Sequence, residues 1–254
     1  MIWKYVLISI LQGVVEWLPI SSEGVSTLTA QFLNLSDPLD LALFLHLGTA
    51  GAAFLFFWKD WKKVLTLKDK SLLKFLIIAT TVSLIIGFPI YKGLDAFIES
   101  VEPQIIGQYL LLITGFGLLF TAFFQRVKRK SLLKGVKVPV ITGFLQGLAA
   151  LPGFSRSGST IFGLSLGGLS PSKTLRTSYM MLVPVSVLSS AYILVFENSN
   201  MLNLEGIISL IVSFLVGWFS LKILINFSKK VSFFGFAFVF SILCFVGFLI
   251  QYLL

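Results

Sequence analysis

The stretch Leu11–Gly24 reads LQGVVEWLPISSEG, and the stretch Leu145–Thr160 reads LQGLAALPGFSRSGST. Each begins as an apolar segment and is then interrupted by proline, glycine, serine and charged residues. A bilayer-spanning helix tolerates few such residues, so neither stretch is an ordinary span. The way in which the chain accommodates these two interrupted segments therefore decides its fold.

The rest of the chain is very apolar. Of its 254 residues, 56% belong to the set AVILMFWYC and only 12% are charged, whereas charged residues make up about 25% of soluble domains. So little polar side chain cannot cover a soluble globule, and the composition also excludes a disordered or nucleic-acid-binding chain. We therefore predict an all-α integral membrane protein with no nucleic-acid partner.

Six segments reach the roughly 20 mostly apolar residues that a bilayer-crossing helix needs. These predicted transmembrane helices are 41–58, 72–91, 105–124, 178–196, 205–226 and 233–254. The two interrupted segments, 1–35 and 138–170, are predicted to be re-entrant helical hairpins, which enter the membrane and leave it on the same side.

The loops between these elements alternate in charge. Basic residues gather in loops 59–74 and 125–137, whereas acidic residues gather in loops 31–40 and 92–104. The charges that form this alternation, in these loops and in the later ones, include Glu102, Lys128, Arg129, Lys130, Lys173, Arg176, Glu197, Glu205, Lys222, Lys229 and Lys230. Because basic loops favour the cytoplasmic side, the pattern predicts a plasma-membrane protein with both termini outside.

An internal repeat accounts for the two interrupted segments. A shift of 134 positions places Leu11–Gly13 on Leu145–Gly147, Ser21 on Ser155 and Gly24 on Gly158. Each hairpin is followed by three spans, an odd number, so the second copy must be inverted relative to the first. The pattern predicts one membrane domain with an inverted-topology repeat, of which residues 1–124 and 125–254 are the halves.

The first hairpin carries candidate site residues. Gln12 and Glu16 are spaced i, i+4, which places both side chains on one face of a helix. Pro19 is predicted to end that helix, and residues 21–24 are predicted to form a turn that caps the next one. Ionisable groups at membrane depth are costly, so Glu16 and Glu23 are functional candidates.

The second hairpin has the composition of a phosphate clamp. The run Pro152–Thr160 combines glycines, which allow close backbone approach, with hydroxyls and the guanidinium of Arg156, which offers bidentate donors to phosphate. A carboxylate that faces it from the first hairpin would either hold a divalent cation against a diphosphate or take a proton from a serine or water nucleophile. Mg²⁺ and Ca²⁺ are the expected cations.

At these residues the chain resembles the undecaprenyl-diphosphatase family, the bacitracin-resistance phosphatases of bacteria, which also has archaeal members. The family's first motif is a Glu or Gln, three residues, then Glu and a Leu-Pro-x-Ser-Ser turn, and Gln12–Ser22 is similar to it. The second, Pro-Gly-x-Ser-Arg-Ser-Gly-x-Thr, is matched from Pro152 to Thr160. The stretch His46–Thr49 also resembles the family, and the resemblance covers nearly the whole chain.

The resemblance implies an enzyme that removes the terminal phosphate from a polyprenyl diphosphate of the undecaprenyl type. Its product would be the monophosphate lipid carrier, which is reused in cell-envelope glycan synthesis. The implied catalytic residues are Glu16 as base or metal ligand, Ser22 as nucleophile and Arg156 as phosphate ligand. The implied diphosphate-binding residues are Gln12, Ser21, Ser155, Ser157, Gly158, Ser159 and Thr160. Glu16 and Glu23 are the candidate metal ligands.

The chain departs from the family at one position. Bacterial members usually place a histidine directly after the Ser-Ser-x-Gly turn, where this chain has Val25. A mechanism that needs that histidine is not available, which favours attack by Ser22 or by a metal-bound water. The only histidine, His46, lies inside a predicted span, where such a residue more often bonds a neighbouring helix than takes part in chemistry.

A transporter or flippase for polyprenyl phosphate or another anion is the alternative function. Secondary transporters are also built from inverted repeats with broken helices around a central site. A carboxylate that faces a phosphate clamp favours hydrolysis, because a pure anion binder gains nothing from like charge. The expected partners are a polyprenyl diphosphate lipid and the bilayer, and the apolar spans are compatible with a monomer or a homodimer.

Overall fold

The computed structural model describes residues 2–18, 20–101, 103–126, 132–196, 201–227 and 233–253, and every regular element in these ranges is helical. The helices are α1 (Ile2–Val15), α2 (Ser22–Phe32), α3 (Pro38–Phe56), α4 (Trp58–Leu65), α5 (Lys70–Ser100), α6 (Pro103–Arg126), α7 (Lys137–Gly147), α8 (Arg156–Leu166), α9 (Pro171–Phe196), α10 (Leu204–Phe227) and α11 (Phe233–Leu253). A short 3-10 turn, Leu148–Ala150, follows α7.

Some of the sequence predictions fall outside the described residues. Pro19, predicted to end the first helix, is one of these positions. The others are loop charges that the orientation prediction used, namely Glu102, Lys128, Arg129, Lys130, Glu197, Lys229 and Lys230. The orientation of the termini in the membrane therefore stays a prediction.

Four helices are long and apolar enough to cross a membrane, and they identify a multi-pass membrane protein. Their apolar stretches are Pro38–Phe56, Lys70–Ile98, Pro171–Phe196 and Leu204–Ile223, and each contains or overlaps a predicted span. The remaining predicted spans, 105–124 and 233–254, coincide with α6 and α11, whose described apolar stretches are shorter. All predicted spans are thus helical, whereas the predicted number of crossings stays a prediction.

Helix α5 is much longer than predicted. The prediction ended this span at residue 91, because Lys92 and Asp95 follow, yet the helix continues to Ser100. The two charged groups pair at i, i+3, with 3.5 Å between Lys92 Nζ and Asp95 Oδ2, so they fit the helix surface. Pro89 also lies inside the helix, as is tolerated in membrane helices.

The two interrupted segments both form helical hairpins, α1–α2 and α7–α8. Their second helices begin with the same cap at positions 134 residues apart. Ser21 Oγ accepts a hydrogen bond from Gly24 N at 3.0 Å, and Ser155 Oγ accepts one from Gly158 N at 3.1 Å. A serine cap satisfies a backbone N–H that has no partner within the helix. The serine and glycine matches found in the sequence therefore correspond to equal local structures.

Each hairpin packs against a helix from the other half of the chain. Helix α1 packs on α10 and α7 packs on α5, while α3 packs on α9 and α6 on α11. Glycines at matching positions permit both hairpin contacts. A Cβ atom at Gly13 would lie 2.8 Å from Val216 Cβ on α10, and one at Gly147 would lie 2.7 Å from Ile86 Cβ on α5. The halves are thus packed reciprocally.

Gly153, in the turn between α7 and α8, is required for two reasons. Its φ of +97° is a conformation that L side chains rarely adopt. An added Cβ would also collide with the carbonyl oxygen of Thr114 on α6. The close packing of the second hairpin tip against α6 therefore depends on this glycine.

We expect Gly153→Ala to lower the free energy of unfolding by about 2–5 kcal/mol, as the sum of backbone strain and an overpacked contact. The midpoint of thermal unfolding of the purified protein in detergent measures this loss. Gly93→Ala on α5 is the matched control, because nothing lies within 4 Å of its added Cβ. Equal midpoints for the two variants would contradict this account of Gly153.

Candidate active site

Glu16 lies at the centre of a cluster of polar side chains at the end of α1. It is 2% exposed. Its Oε2 atom accepts hydrogen bonds from Gln12 Nε2 at 2.7 Å and from Ser22 Oγ at 2.9 Å. Gln12 reaches it because the two residues are one helical turn apart, and Gln12 Oε1 in turn accepts a bond from Ser26 Oγ at 3.0 Å. The first hairpin alone therefore fixes the carboxylate in one orientation.

Arg156 brings a positive charge to Glu16 from the second hairpin. It is the first residue of α8, and its Nη2 atom donates to Glu16 Oε1 in a buried ion pair. Its Nη1 atom donates to the carbonyl of Ser178 on α9 at 2.9 Å. The Nε atom is buried and has no hydrogen-bond partner in the described part of the chain. The Nε–H group is thus a buried donor that a ligand could use.

His46 joins the cluster from α3, although the sequence analysis gave it no part in the chemistry. Its Nε2 atom lies 3.1 Å from Glu16 Oε2 and 3.4 Å from Ser22 Oγ. Its Nδ1 atom lies 2.7 Å from the carbonyl oxygen of Ala42, which can only accept a hydrogen bond. Nδ1 is therefore a donor, and Nε2 is the nitrogen that faces the carboxylate and the hydroxyl.

Three of the predicted phosphate-binding serines make contacts within the protein. Ser21 Oγ accepts a second hydrogen bond, at 2.9 Å, from the backbone N–H of Gly153 in the opposite hairpin. Ser157 Oγ donates to the carbonyl of Leu18 at 2.8 Å. Ser155 caps α8, and its hydroxyl lies 3.2 Å from that of Ser157. The hydroxyls of Ser21 and Ser157 thus join the two hairpin tips, whereas these two contacts of Ser155 lie within the second hairpin.

The remaining predicted ligands lie on the first turns of α8. Thr160 Oγ1 lies 2.7 Å from Ser178 Oγ and donates to the carbonyl of Arg156 at 2.9 Å. Gly158 contributes its backbone N–H to the Ser155 cap. Ser159 is buried in the same turn, and its backbone N–H bonds to the carbonyl of Ser155 at 2.9 Å. The diphosphate-binding role of all these residues stays a prediction.

Tyr179 is a further residue at the site that sequence reasoning missed. Its hydroxyl donates to the backbone carbonyl of Trp17 at 2.9 Å, and the two rings meet edge to face with centroids 5.3 Å apart. It therefore ties α9 to the turn that follows Glu16. The rule that flags polar groups inside apolar segments applies equally to His46 and Tyr179, and is the one signal that would have found them.

The two hairpins do not carry the same chemistry. A shift of 134 positions places Ala150 on Glu16 and Arg156 on Ser22. The first hairpin supplies the carboxylate of Glu16 and the hydroxyl of Ser22, whereas the second supplies the guanidinium. One copy of each hairpin is thus needed to build the cluster.

A cavity of about 480 Å³ opens beside this cluster. Glu23, His46 and Arg156 line it, so all three reach the same space, and Glu23 is nearly buried there. The rest of the wall is mostly apolar and comes from α3, α5, α7 and α9; among its residues are Leu43, Leu84, Phe88, Leu182, Val185 and Ile193. The space therefore suits a molecule with a charged head and a long apolar tail.

The cluster offers the groups that hydrolysis of a phosphate compound needs. The guanidinium is a donor for phosphate, the serine hydroxyl is a nucleophile, and the carboxylate is a proton acceptor. Among the described residues, no three His, Cys, Asp or Glu side chains are arranged to hold a metal ion. Both oxygens of Glu16 already have partners, so the donor set does not fit a cation bound by the protein alone.

Comparison with known proteins gives one consistent result. Residues 5–246 match the family described as bacitracin resistance protein BacA. A protein of Haloarcula marismortui named undecaprenyl-diphosphatase is 34% identical over 95% of each chain. Proteins of the same name from Sulfurisphaera tokodaii and Rhodopirellula baltica are 32% and 31% identical, each over 89% of both chains.

The resemblance drawn from the two hairpin motifs is thereby confirmed. The match covers residues 5–246, so it contains the polar cluster, the second hairpin and all of the first hairpin except the first three residues of α1. This chain belongs to the bacitracin resistance protein BacA family.

Proposed function

We propose that this protein is a membrane phosphatase that hydrolyses a polyprenyl diphosphate of the undecaprenyl type to the monophosphate and inorganic phosphate. The observation that carries the proposal is the cavity, which has Glu23, His46 and Arg156 on one part of its wall and apolar side chains on the rest. A polyprenyl diphosphate has the same division into a charged head and an apolar tail. The relatives' printed name, undecaprenyl-diphosphatase, agrees with it.

Arg156 is the residue that we expect to bind the diphosphate. Its buried Nε atom lacks a partner among the described residues, and a buried donor without an acceptor costs about 1–3 kcal/mol. A phosphate oxygen would satisfy this donor. The diphosphate would also compete with Glu16 for the guanidinium of Arg156. Binding of the head group would therefore free the carboxylate of Glu16. The helix N-terminus at Arg156 adds a favourable dipole.

Ser22 is in position to attack the terminal phosphorus. Its hydroxyl donates to Glu16 at 2.9 Å, which orients the oxygen lone pairs away from the carboxylate. Attack forms a bond between Ser22 Oγ and phosphorus and breaks the bond from phosphorus to the bridging oxygen, while the hydroxyl proton passes to Glu16 Oε2, which already accepts its hydrogen bond. The electron pair of the broken bond stays with the polyprenyl monophosphate. Water then hydrolyses the phosphoserine; direct attack by that water, with no phosphoserine, is the other form of the reaction.

A divalent cation would serve this reaction as the counter-ion of the diphosphate. Since the donor set does not fit a site made by the protein alone, we expect Mg²⁺ or Ca²⁺ to arrive bound to phosphate oxygens. The cation would neutralise part of the phosphate charge. The predicted metal roles of Glu16 and Glu23 stay predictions.

The reciprocal packing of the halves supports an inverted-topology repeat with two re-entrant hairpins. Equal caps at Ser21 and Ser155, and equal close contacts at Gly13 and Gly147, are what two copies of one unit would produce. On this proposal residues 1–124 and 125–254 are the halves and both termini lie outside the plasma membrane. The site opens outward, and the exposed apolar faces leave room for a homodimer.

A transporter built on the same repeat is the second candidate, because the hairpins also resemble the broken helices of transporters. Transport needs a bound anion, but it does not need a nucleophile beside a proton acceptor. The contact of Ser22 with Glu16 therefore favours hydrolysis.

Arg156→Ala should reduce phosphate release from farnesyl and undecaprenyl diphosphate by about 10²–10³-fold, since it removes a donor to the reacting group. Glu16→Gln should reduce it by about 10²-fold, since it removes the charge that orients the site. Inorganic phosphate release by the purified protein in detergent, with and without a chelator, measures both.

Arg176→Ala is the matched control for these variants. Arg176 pairs with Asp60 at 2.5 Å on a half-exposed surface of α9, and removal of such a pair costs little. We expect its rate to stay within about twofold of the wild type. If the wild type binds diphosphate but releases no phosphate in the presence of any divalent cation, the phosphatase proposal is rejected and the transporter is favoured.

Val185→Phe should raise the KM for farnesyl diphosphate about tenfold, which corresponds to about 1.4 kcal/mol of lost binding, because Val185 lines the cavity. The KM for methyl diphosphate, which has no long tail, should not change. Val187→Phe is the control on the same helix, since Val187 is 46% exposed and does not line the cavity. Equal KM changes for both variants, or for both substrates, would show that the tail binds elsewhere.

A further inference from the structure

We propose that His46 is a second cationic ligand of the diphosphate, which donates a hydrogen bond from Nε2 to the terminal phosphoryl group and acts beside Arg156. In the structure the same nitrogen faces Glu16. The inference rests on the proposed phosphatase function. It deepens that function by assigning substrate binding to a residue on α3, outside both hairpin motifs.

His46 carries a proton on both ring nitrogens. Nδ1 lies 2.7 Å from the carbonyl oxygen of Ala42, which can only accept a hydrogen bond. Nε2 lies 3.1 Å from Oε2 of Glu16. That carboxylate is charged, because it forms a buried ion pair with Arg156, so Nε2 must donate to it as well. The imidazole is therefore a cation with a donor on each nitrogen.

The two cations reach the cavity, whereas the carboxylate between them does not. His46 and Arg156 line the wall, and their side chains are 10% and 11% exposed. Glu16 is not among the described residues of the wall, and its side chain is 1% exposed. A phosphate group that enters the cavity therefore meets the imidazolium and the guanidinium before it meets the anion that they share.

Glu23 is the one acidic residue among the described residues of that wall. Its carboxyl group offers a phosphate oxygen at most one donor, and none when it is ionised. His46 and Arg156 instead offer charged donors, which make the stronger hydrogen bonds to phosphate. The phosphate is therefore expected beside these two cations rather than beside Glu23.

The position of Ser22 assigns His46 to the terminal phosphoryl group rather than to the inner one. Nε2 lies 3.4 Å from Ser22 Oγ, the atom that attacks the terminal phosphorus. Reacting atoms approach to about 3–3.5 Å before a bond forms, so the oxygens of that phosphoryl group come within reach of Nε2. Negative charge that moves onto these oxygens during transfer is then stabilised by a fixed donor.

Binding at His46 also changes the surroundings of Glu16. Nε2 has a single proton, so a phosphate oxygen that takes this hydrogen bond removes it from the carboxylate. Competition for Arg156 acts in the same way on Oε1. The carboxylate keeps its bonds from Gln12 and Ser22 but loses both cationic partners, which makes it a better acceptor for the proton of Ser22. That proton passes to Glu16, and His46 keeps both of its own.

The first test is the affinity for an analogue of farnesyl diphosphate in which a methylene group replaces the oxygen between the two phosphorus atoms. His46→Ala should weaken binding of this analogue by about 10–100-fold, since it removes a charged donor to phosphate. It should also reduce phosphate release by about 10²–10³-fold. His46→Gln, which keeps a neutral donor, should lose less affinity. A residue that only positions Glu16 and Ser22 would lower the rate and leave the affinity unchanged.

The second test uses the fact that His46 is the only histidine of the chain. Wild-type protein labelled with ¹⁵N in the histidine ring, and purified without a histidine tag, gives one pair of ring nitrogen signals. Both should have the chemical shift of a protonated nitrogen. Addition of the analogue should move the Nε2 signal, while the signal of Nδ1, which is bonded to Ala42, stays in place.

Thr49→Val is the matched control on α3. Thr49 is buried one turn after His46, bonds to its carbonyl at 3.1 Å and is not among the described residues that line the cavity. Its affinity for the analogue should stay within about threefold of the wild type.

The inference is overturned if His46→Ala binds the analogue as tightly as Thr49→Val does. It is also overturned if Nε2 is unprotonated, or if its signal does not respond to the analogue. Phosphate release by the wild type is the separate check. Its absence, with the analogue bound at His46, would reject the phosphatase and leave an anion-binding site.

Discussion

The ion pair between Glu16 and Arg156 is the interaction on which the site depends. Two charges at membrane depth are tolerable when each has a partner and the remaining donors and acceptors are satisfied. Here the carboxylate comes from the first hairpin and the guanidinium from the second. The charges are satisfied only if the two tips meet, and Ser21 and Ser157 bond across the same joint. The contact that joins the two hairpin tips is therefore also the contact that forms the site.

This coupling explains why sequence reasoning could predict that polar residues of the two hairpins face one another, as the pairing of Glu16 with Arg156 shows. Glu16, Gln12, Ser22 and Arg156 were recognisable because polar residues in an apolar chain must find one another. The i, i+4 spacing of Gln12 and Glu16 specified their common face. The caps at Ser21 and Ser155 followed from local turn chemistry, which depends on few residues. The family of the chain was evident from the same positions.

Other parts depended on information that no local pattern carries. His46 lies on α3 among mostly apolar residues, so the periodicity of the sequence did not show which face of α3 meets the carboxylate of Glu16. Tyr179 acts through the backbone carbonyl of Trp17, and backbone groups carry no sequence signal. The hydroxyls of Ser155 and Ser157 matched a phosphate clamp in composition, but in the structure Ser155 caps α8 and Ser157 bonds to Leu18 of the other hairpin. Lys92 and Asp95, which the prediction took as the end of a span, pair on the surface of α5, which continues to Ser100.

Because the two hairpins carry different charged residues, each chain can form only one such ion pair. Since Ala150 stands where the first hairpin has Glu16, and Ser22 stands where the second has Arg156, the two halves form one complete set of charges rather than two. A symmetric pair of first halves would oppose two carboxylates without a guanidinium, and a symmetric pair of second halves would oppose two guanidiniums without Glu16. Each polypeptide thus forms a single Glu16–Arg156 pair, and a second copy of the chain would add a second pair without completing the first.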